Sequence, residues 1–255
     1  MKKAVLLSSV AIVSLAGFVV VKVPASIVWQ QLLEQNLVPQ ELTLEGLEGT
    51  LWFGSADKVF WEGSRLPGLQ WNFSGFSPVS LSAGYNVQLG HARTDISAKG
   101  YLEAGPDYLE VLNLSSRMTL EQLQTWLDIP LPMAVNGQAR LSINELRLAG
   151  KSCESLDGSG RLSDVVVDSV WGELDLGASN FSLDCSGQQM TAKLDQKSDH
   201  IVSSLTFGLT NLQNYTLDGR LEPQPDLGKP YREGLGYIGD SDSRGGYQVS
   251  WQGSL

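Results

Sequence analysis

Residues 201–209 read IVSSLTFGL, and the order of these residues separates two faces of an extended chain. Ile201, Ser203, Leu205, Phe207 and Leu209 fall on one side, a period of two that belongs to a β-strand. Working outward, NYTLDGRLEP at 214–223 places Tyr215, Leu217, Gly219 and Leu221 on one face. GYQVSWQGSL at 246–255 does the same with Tyr247, Val249, Trp251 and Leu255. Similar alternation predicts strands at 137–148, 158–168, 170–176, 179–185 and 188–195, and upstream at 41–46, 49–54, 57–62, 68–74, 79–89, 93–103 and 107–114. Gly, Asn, Asp and Ser punctuate these runs about every 8–12 residues, which marks a hairpin-rich antiparallel sheet. A loose echo (EGTLWFG, NGQARLSI, GSGRLSDV, LDGRLEP, QGSL) reads as a family of turn-then-strand units and not as a strict repeat.

Three stretches depart from the alternation. ASIVWQQLLEQNL at 25–37 carries Ile27, Val28, Trp29, Leu32, Leu33 and Leu37 at helical spacing. Trp29 suits either the membrane interface or packing on the domain. TLEQLQTWL at 119–127 pairs Thr119 with Gln122 in a capping-box spacing and stops before Pro130 and Pro132. The break at 222–246 has room for a short helix around 231–238.

The N-terminus carries a different signal. After Lys2 and Lys3, residues 4–21 contain no charge. As a helix at about 1.5 Å per residue they span about 27 Å, close to the hydrocarbon thickness of a bilayer. Two lysines before the span, with none of comparable density after it, put the N-terminus in the cytoplasm. A cleaved signal peptide ending at Ser14-Leu15-Ala16 is the competing reading, but it would leave Gly17 to Val21 as an apolar new terminus. Either way, the chain beyond residue 23 is expected outside the cytoplasm. The expected organisation is 1–3 cytoplasmic, 4–23 a transmembrane anchor, 24–39 a membrane-proximal helix, and 40–134 and 135–255 two periplasmic β halves. The fold class is mainly β: an N-terminal transmembrane helix, then a curved antiparallel β-sheet with one or two short helices. One continuous sheet, curled or sandwich-like, is one arrangement of the halves, and the sequence leaves open whether they join.

Composition narrows the function. The 255 residues carry 18 basic and 28 acidic side chains, a formal net charge of −10. That excess argues against nucleic acid, which demands a basic footprint, and against electrostatic docking on anionic lipid. Cys153 and Cys185 are the only cysteines. Outside the cytoplasm they are expected to form a disulfide; a free buried pair or half a metal site is the lesser reading. Only His91 and His200 are available for histidine chemistry, and no G-x-S-x-G, Walker loop or H-E-x-x-H occurs. GDSDSRGGY fails as a calcium loop because Arg244 and Trp251 fall where oxygen donors are needed, so Asp240, Asp242 and Arg244 read as a polar turn. No catalytic residue, metal ligand or cofactor site is expected.

LEGTLWFGSA at 47–56 sets Trp52 beside Phe53, and Phe60 and Trp61 repeat the arrangement. Read as strands, these pairs offer a ring to each face, so this part of the sheet is expected to be covered on both sides. With Trp71 they are candidates for a partner or ligand surface.

The short anchor, LEGTLWFGSA, GLQWNF, PLPMAVNGQARLSINELRL, the two cysteines and GYIGDSDSRGGYQVSWQGSL together resemble the type II secretion system protein N family over essentially the whole chain. The run of Ser and Asp at 240–243 departs from the family's terminal motif. The resemblance implies a bitopic inner-membrane protein with a periplasmic β domain. It would be a non-enzymatic accessory or scaffold subunit in the export of folded proteins across the outer membrane, with inner-membrane and outer-membrane components of that system as partners. The alternative is a periplasmic lipid-handling β-groove protein, with a hydrolase a distant third.

Overall fold

The alternation at 201–209 holds in three dimensions and extends across the molecule. The computed structural model describes residues 22–35, 38, 42–61, 64–91, 93–126, 134–169 and 172–254. The first half contributes β1 (Leu42–Gly49), β2 (Phe53–Trp61), β3 (Ser64–Leu66), β4 (Leu69–Ser77), β5 (Ser82–Leu89), β6 (Ser97–Ala104) and β7 (Tyr108–Thr119). The second contributes β8 (Ala134–Ala149), β9 (Ser152–Ser169), β10 (Gly172–Ser186), β11 (Gln189–Lys197), β12 (Ile201–Thr210), β13 (Asn214–Pro223), β14 (Asp240–Ser241) and β15 (Tyr247–Ser254). All fifteen join one antiparallel sheet whose spatial order nearly follows the chain: β3 branches from β2, and β14 lies outside β15. β7 pairs β8 from Tyr108↔Ala149 to Thr119↔Gln138, so the two halves are one open sheet.

Directly opposed residues share a face, so the register can be followed from strand to strand. One line runs Tyr85, Leu102, Val111, Leu146, Leu156. Further on, another runs Phe181, Leu194, Leu205, Gly219, Val249. The opposite face carries Ser142, Ser159, Ser182, Lys193, Thr206, Asp218 and Ser250 in register. The sheet therefore has one polar and one apolar face. No second sheet covers the apolar one among the described residues. Its burial is accordingly shallow: Ser82 is the largest side chain under 2 % exposed, whereas Leu148, Val167 and Leu174 stop at 6–8 %.

Three short helices meet the apolar face. α1 (Ala25–Glu34) faces Leu44, Leu47, Leu69 and Trp71 through Val28, Trp29 and Leu32, so Trp29 packs on the domain. α2 (Leu120–Trp126) starts where expected, the Gln122 amide donating to Thr119 Oγ1 at 3.4 Å, and sets Leu120 on Ala139 and Val165. α3 (Lys229–Ile238) has no side-chain N-cap and contains Gly234 and Gly236, each costing about 1 kcal/mol relative to alanine. Its order depends on packing: Leu235 joins Val167, Leu174 and Leu227 in a buried cluster. No described helix is long and apolar enough to cross a membrane, and the anchor expected at 4–21 lies outside the described residues.

Candidate functional site

The aromatic stretch at 47–56 is a turn with a strand on either side. β1 ends at Gly49, which has φ +85°, and β2 begins at Phe53. Thr50 organises the turn: its hydroxyl oxygen accepts from the amides of Trp52 at 3.2 Å and Phe53 at 3.4 Å, and its amide donates to Phe53 O at 2.8 Å. The strand expected at 49–54 is therefore replaced by a turn. Trp52 and Phe53 do not sit as neighbours within one strand, so strand alternation no longer requires cover on both faces. The Trp52 ring meets Phe73 edge-on at 4.7 Å, and Phe73 meets Tyr85 at 5.5 Å. The Trp71 indole donates to Thr50 O at 3.1 Å and lies over Gly54, where a Cβ would come within 2.5 Å of the ring. Phe60 is half-buried opposite Thr43 and Arg65. Phe53 is 62 % exposed and Trp61 37 %, so the expected two-sided cover is absent there. The structure thus groups Trp52 and Trp71 around one turn and leaves Phe53 and Trp61 open.

A larger apolar site lies elsewhere. Between α3 and the apolar side of β9–β13 is a cleft of about 480 Å³. Leu162, Leu176, Leu194, Leu205, Leu221 and Ile238 contribute to its walls. Three of its polar side chains bond to the protein: Ser203 donates to Gln196 Oε1 at 3.1 Å, Gln196 Nε2 to Leu176 O at 2.9 Å, and Tyr231 to Gly172 O at 2.5 Å. The sequence reading missed this site. The leucine alternation was visible, but nothing local says that residues 229–238 return over strands 60 positions earlier.

Cys153 and Cys185 form a disulfide with Cα atoms 5.9 Å apart. It ties the start of β9 to the end of β10 at the edge where Cys153 donates its amide to Gln188 O. The loop closed by a sequence separation of 32 contributes about 3–4 kcal/mol on a chain-entropy basis.

Two polar networks have structural geometry. Glu103 Oε1 accepts from Ser82 at 2.6 Å and Tyr108 at 2.7 Å, and Oε2 from Tyr101 at 3.1 Å. The Ser82 and Tyr108 hydroxyls hold its carboxyl below the ordinary value. Asp242 Oδ1 accepts from the amides of Arg244 and Gly246, and Oδ2 from Arg220 at 2.7 Å, with Gly245 at φ +82°. This is the polar turn expected from GDSDSRGGY for Asp242 and Arg244, while Asp240 instead begins β14. The Gly246 amide and then Arg220 lower the Asp242 pKa. Among the described residues no group of three or more His, Cys, Asp or Glu side chains is placed to hold a metal.

Residues 40–250 match the family model for type II secretion system (T2SS), protein N. The chain belongs to this family. It is 27 % identical to type II secretion system protein N of Aeromonas hydrophila over the whole of both chains. It is 28 % identical to the protein of that name from Vibrio cholerae over 93 % of each, and 24 % identical to that of Pectobacterium carotovorum over 86 %. No solved structure matches it. Membership makes the protein an accessory subunit of the type II secretion system. The turn built by Gly49, Thr50, Trp52 and Gly54 gives the most characteristic stretch of the resemblance a structural reason.

Proposed function

We propose that the protein is a non-enzymatic scaffold of the type II secretion system, anchored in the inner membrane by residues 4–23 with its N-terminus cytoplasmic. The β halves at 40–134 and 135–255 form a curved platform in the periplasm. There the platform holds neighbouring subunits by strand addition along the outer edge of β15. The free edge of β15 carries this reading. β14 covers only Tyr247 and Gln248, so Val249 to Ser254 pair with β13 on one side alone among the described residues. The strand is YQVSWQGS, with no charge and no proline. At the other end β1 carries Glu45, Glu48 and a kink at Gly46 (φ +67°), features that blunt an edge against pairing. An extended segment of an inner- or outer-membrane component of the system would continue the ladder, its apolar side chains beside Val249 and Trp251. Trp52, Phe53, Phe60, Trp61 and Trp71 supply a second contact surface, Phe53 and Trp61 through their open rings and the others as its support.

Site-specific photocrosslinking in cells tests this. A crosslinker at Gln252 should capture a secretion component, one at Thr43 should not, and Trp251→Lys should reduce both capture and export. Equal capture from both edges, or full export with Trp251→Lys and no adduct at 252, would remove the proposal.

A further inference from the structure

We propose that the cleft between α3 and β9–β13 binds a single alkyl chain of a lipid. This goes beyond the scaffold reading and stands or falls independently of the β15 edge.

Size sets the first limit. At roughly 30 Å³ for a water-sized group in a liquid, a cleft of 480 Å³ admits a chain of about sixteen methylene-sized groups. By volume, one such chain fills the cleft.

Chemistry decides between occupants. The walls hold leucine, isoleucine and valine with no charged residue, and Gln196, Ser203 and Tyr231 already have protein partners. A polypeptide laid in the cleft would bring amides and carbonyls with few acceptors or donors to meet them. An alkyl chain asks for no hydrogen bond. It would also restore the dispersion contacts that an empty apolar space forfeits. The headgroup must stay outside, because the lining offers it nothing.

The roof is suited to admitting a chain. α3 has no side-chain cap at Gly228, and the buried Gly234 lines the cleft without narrowing it. Val167, Leu174, Leu227 and Leu235 pack the cluster that holds the helix down. Tyr237 borders the cleft and is 91 % exposed, an amphipathic residue at the boundary between alkyl chain and water.

The test uses the full chain in cells fed a diazirine-bearing palmitate, followed by irradiation, purification and peptide mapping. Adducts are expected on peptides containing Leu194, Leu205 and Leu235, with adducts in residues 4–23 as the internal control for membrane contact. Adduct mass separates a free fatty acid from one leg of a phospholipid, and either supports the site. Leu205→Trp should cut cleft labelling at least fivefold relative to the control, while Leu205→Ala, which widens the cleft, should retain it. Gly234→Phe fills the space from the roof and should repeat the loss, so the result does not hang on one variant. An intact Cys153–Cys185 disulfide and unchanged protease resistance certify folding. Adducts confined to 4–23, equal cleft labelling in the filled variants, or loss with Leu205→Ala as well would overturn the proposal.

Discussion

The apolar face is treated in opposite ways at its two ends. Around residues 50–85 rings fill it: Trp52 on Phe73, Phe73 on Tyr85, and Trp71 pressed over Gly54. Around 162–238 aliphatic side chains line it, and a helix with two glycines spans a space they leave open. Aromatic residues drew attention to the first region, yet the groove beside Phe53 and Trp71 is lined largely by polar side chains such as Gln70, Asn72, Asn86, Gln88 and Lys99. An apolar vacancy arises in the second, where branched side chains lie beneath α3. A run of rings in a one-layer sheet is thus a poor guide to a binding site, and a leucine ladder beneath a returning segment is a better one.

The largest test of this contrast is the disulfide, which ties β9 to β10, two of the strands that carry the second region. Cys153→Ser with Cys185→Ser should cost about 3 kcal/mol in denaturant unfolding. Hydrogen exchange should rise in β9–β11 and leave β4 and β5 protected; equal loosening at both ends would erase the distinction.

Gly54→Val attacks the first region. Its new Cβ would fall 2.5 Å from the Trp71 ring and 2.4 Å from Glu48 O. Overpacking of this kind should cost about 2 kcal/mol, read as a lower denaturation midpoint, with alkyl labelling of the cleft unchanged. Thr50→Ala removes the hydroxyl that organises the same turn and should cost about 1 kcal/mol. Mobile methylene and ring resonances confined to Leu51–Phe53 would sharpen that assignment.

Glu103→Gln should have the smallest effect, and one that depends on pH. Because the folded carboxyl titrates below its ordinary 4.5, its contribution is complete above that value and is lost as pH falls through the lowered folded pKa. Wild type and variant should therefore differ most above about pH 4.5 and converge in acid. A difference that persists at low pH would mean the Ser82, Tyr101 and Tyr108 hydroxyls serve the fold without the charge.

Much of this architecture could be read along the chain because antiparallel hairpins are local. The alternation at 201–209 and 214–223 became β12 and β13, joined by a short turn, and the spacing of Thr119 and Gln122 became the start of α2. The error at 49–54 came from turn chemistry: Gly49 in the left-handed region and the Thr50 hydroxyl outweighed an alternation only a few residues long. Bulges were also silent, such as the shift between Asp175 and Gly177, where three residues of β10 lie against Val166 and Val165 of β9. The cleft was beyond reach for a different reason. It depends on residues 229–238 meeting β9 and β10, a contact across some 60 positions that no periodicity encodes.

The near identity of strand order and chain order has a consequence for how the molecule is born. Almost every strand finds its partner immediately behind it, so a nascent polypeptide could add one rung at a time as it emerges. β4 skips β3 to reach β2, and the last segment departs further, since α3 must fold back and β15 must reach β13 before β14 has a neighbour. Maturation would then finish where the hollow is roofed, which makes the final thirty or so residues the natural checkpoint between a growing ribbon and a working subunit.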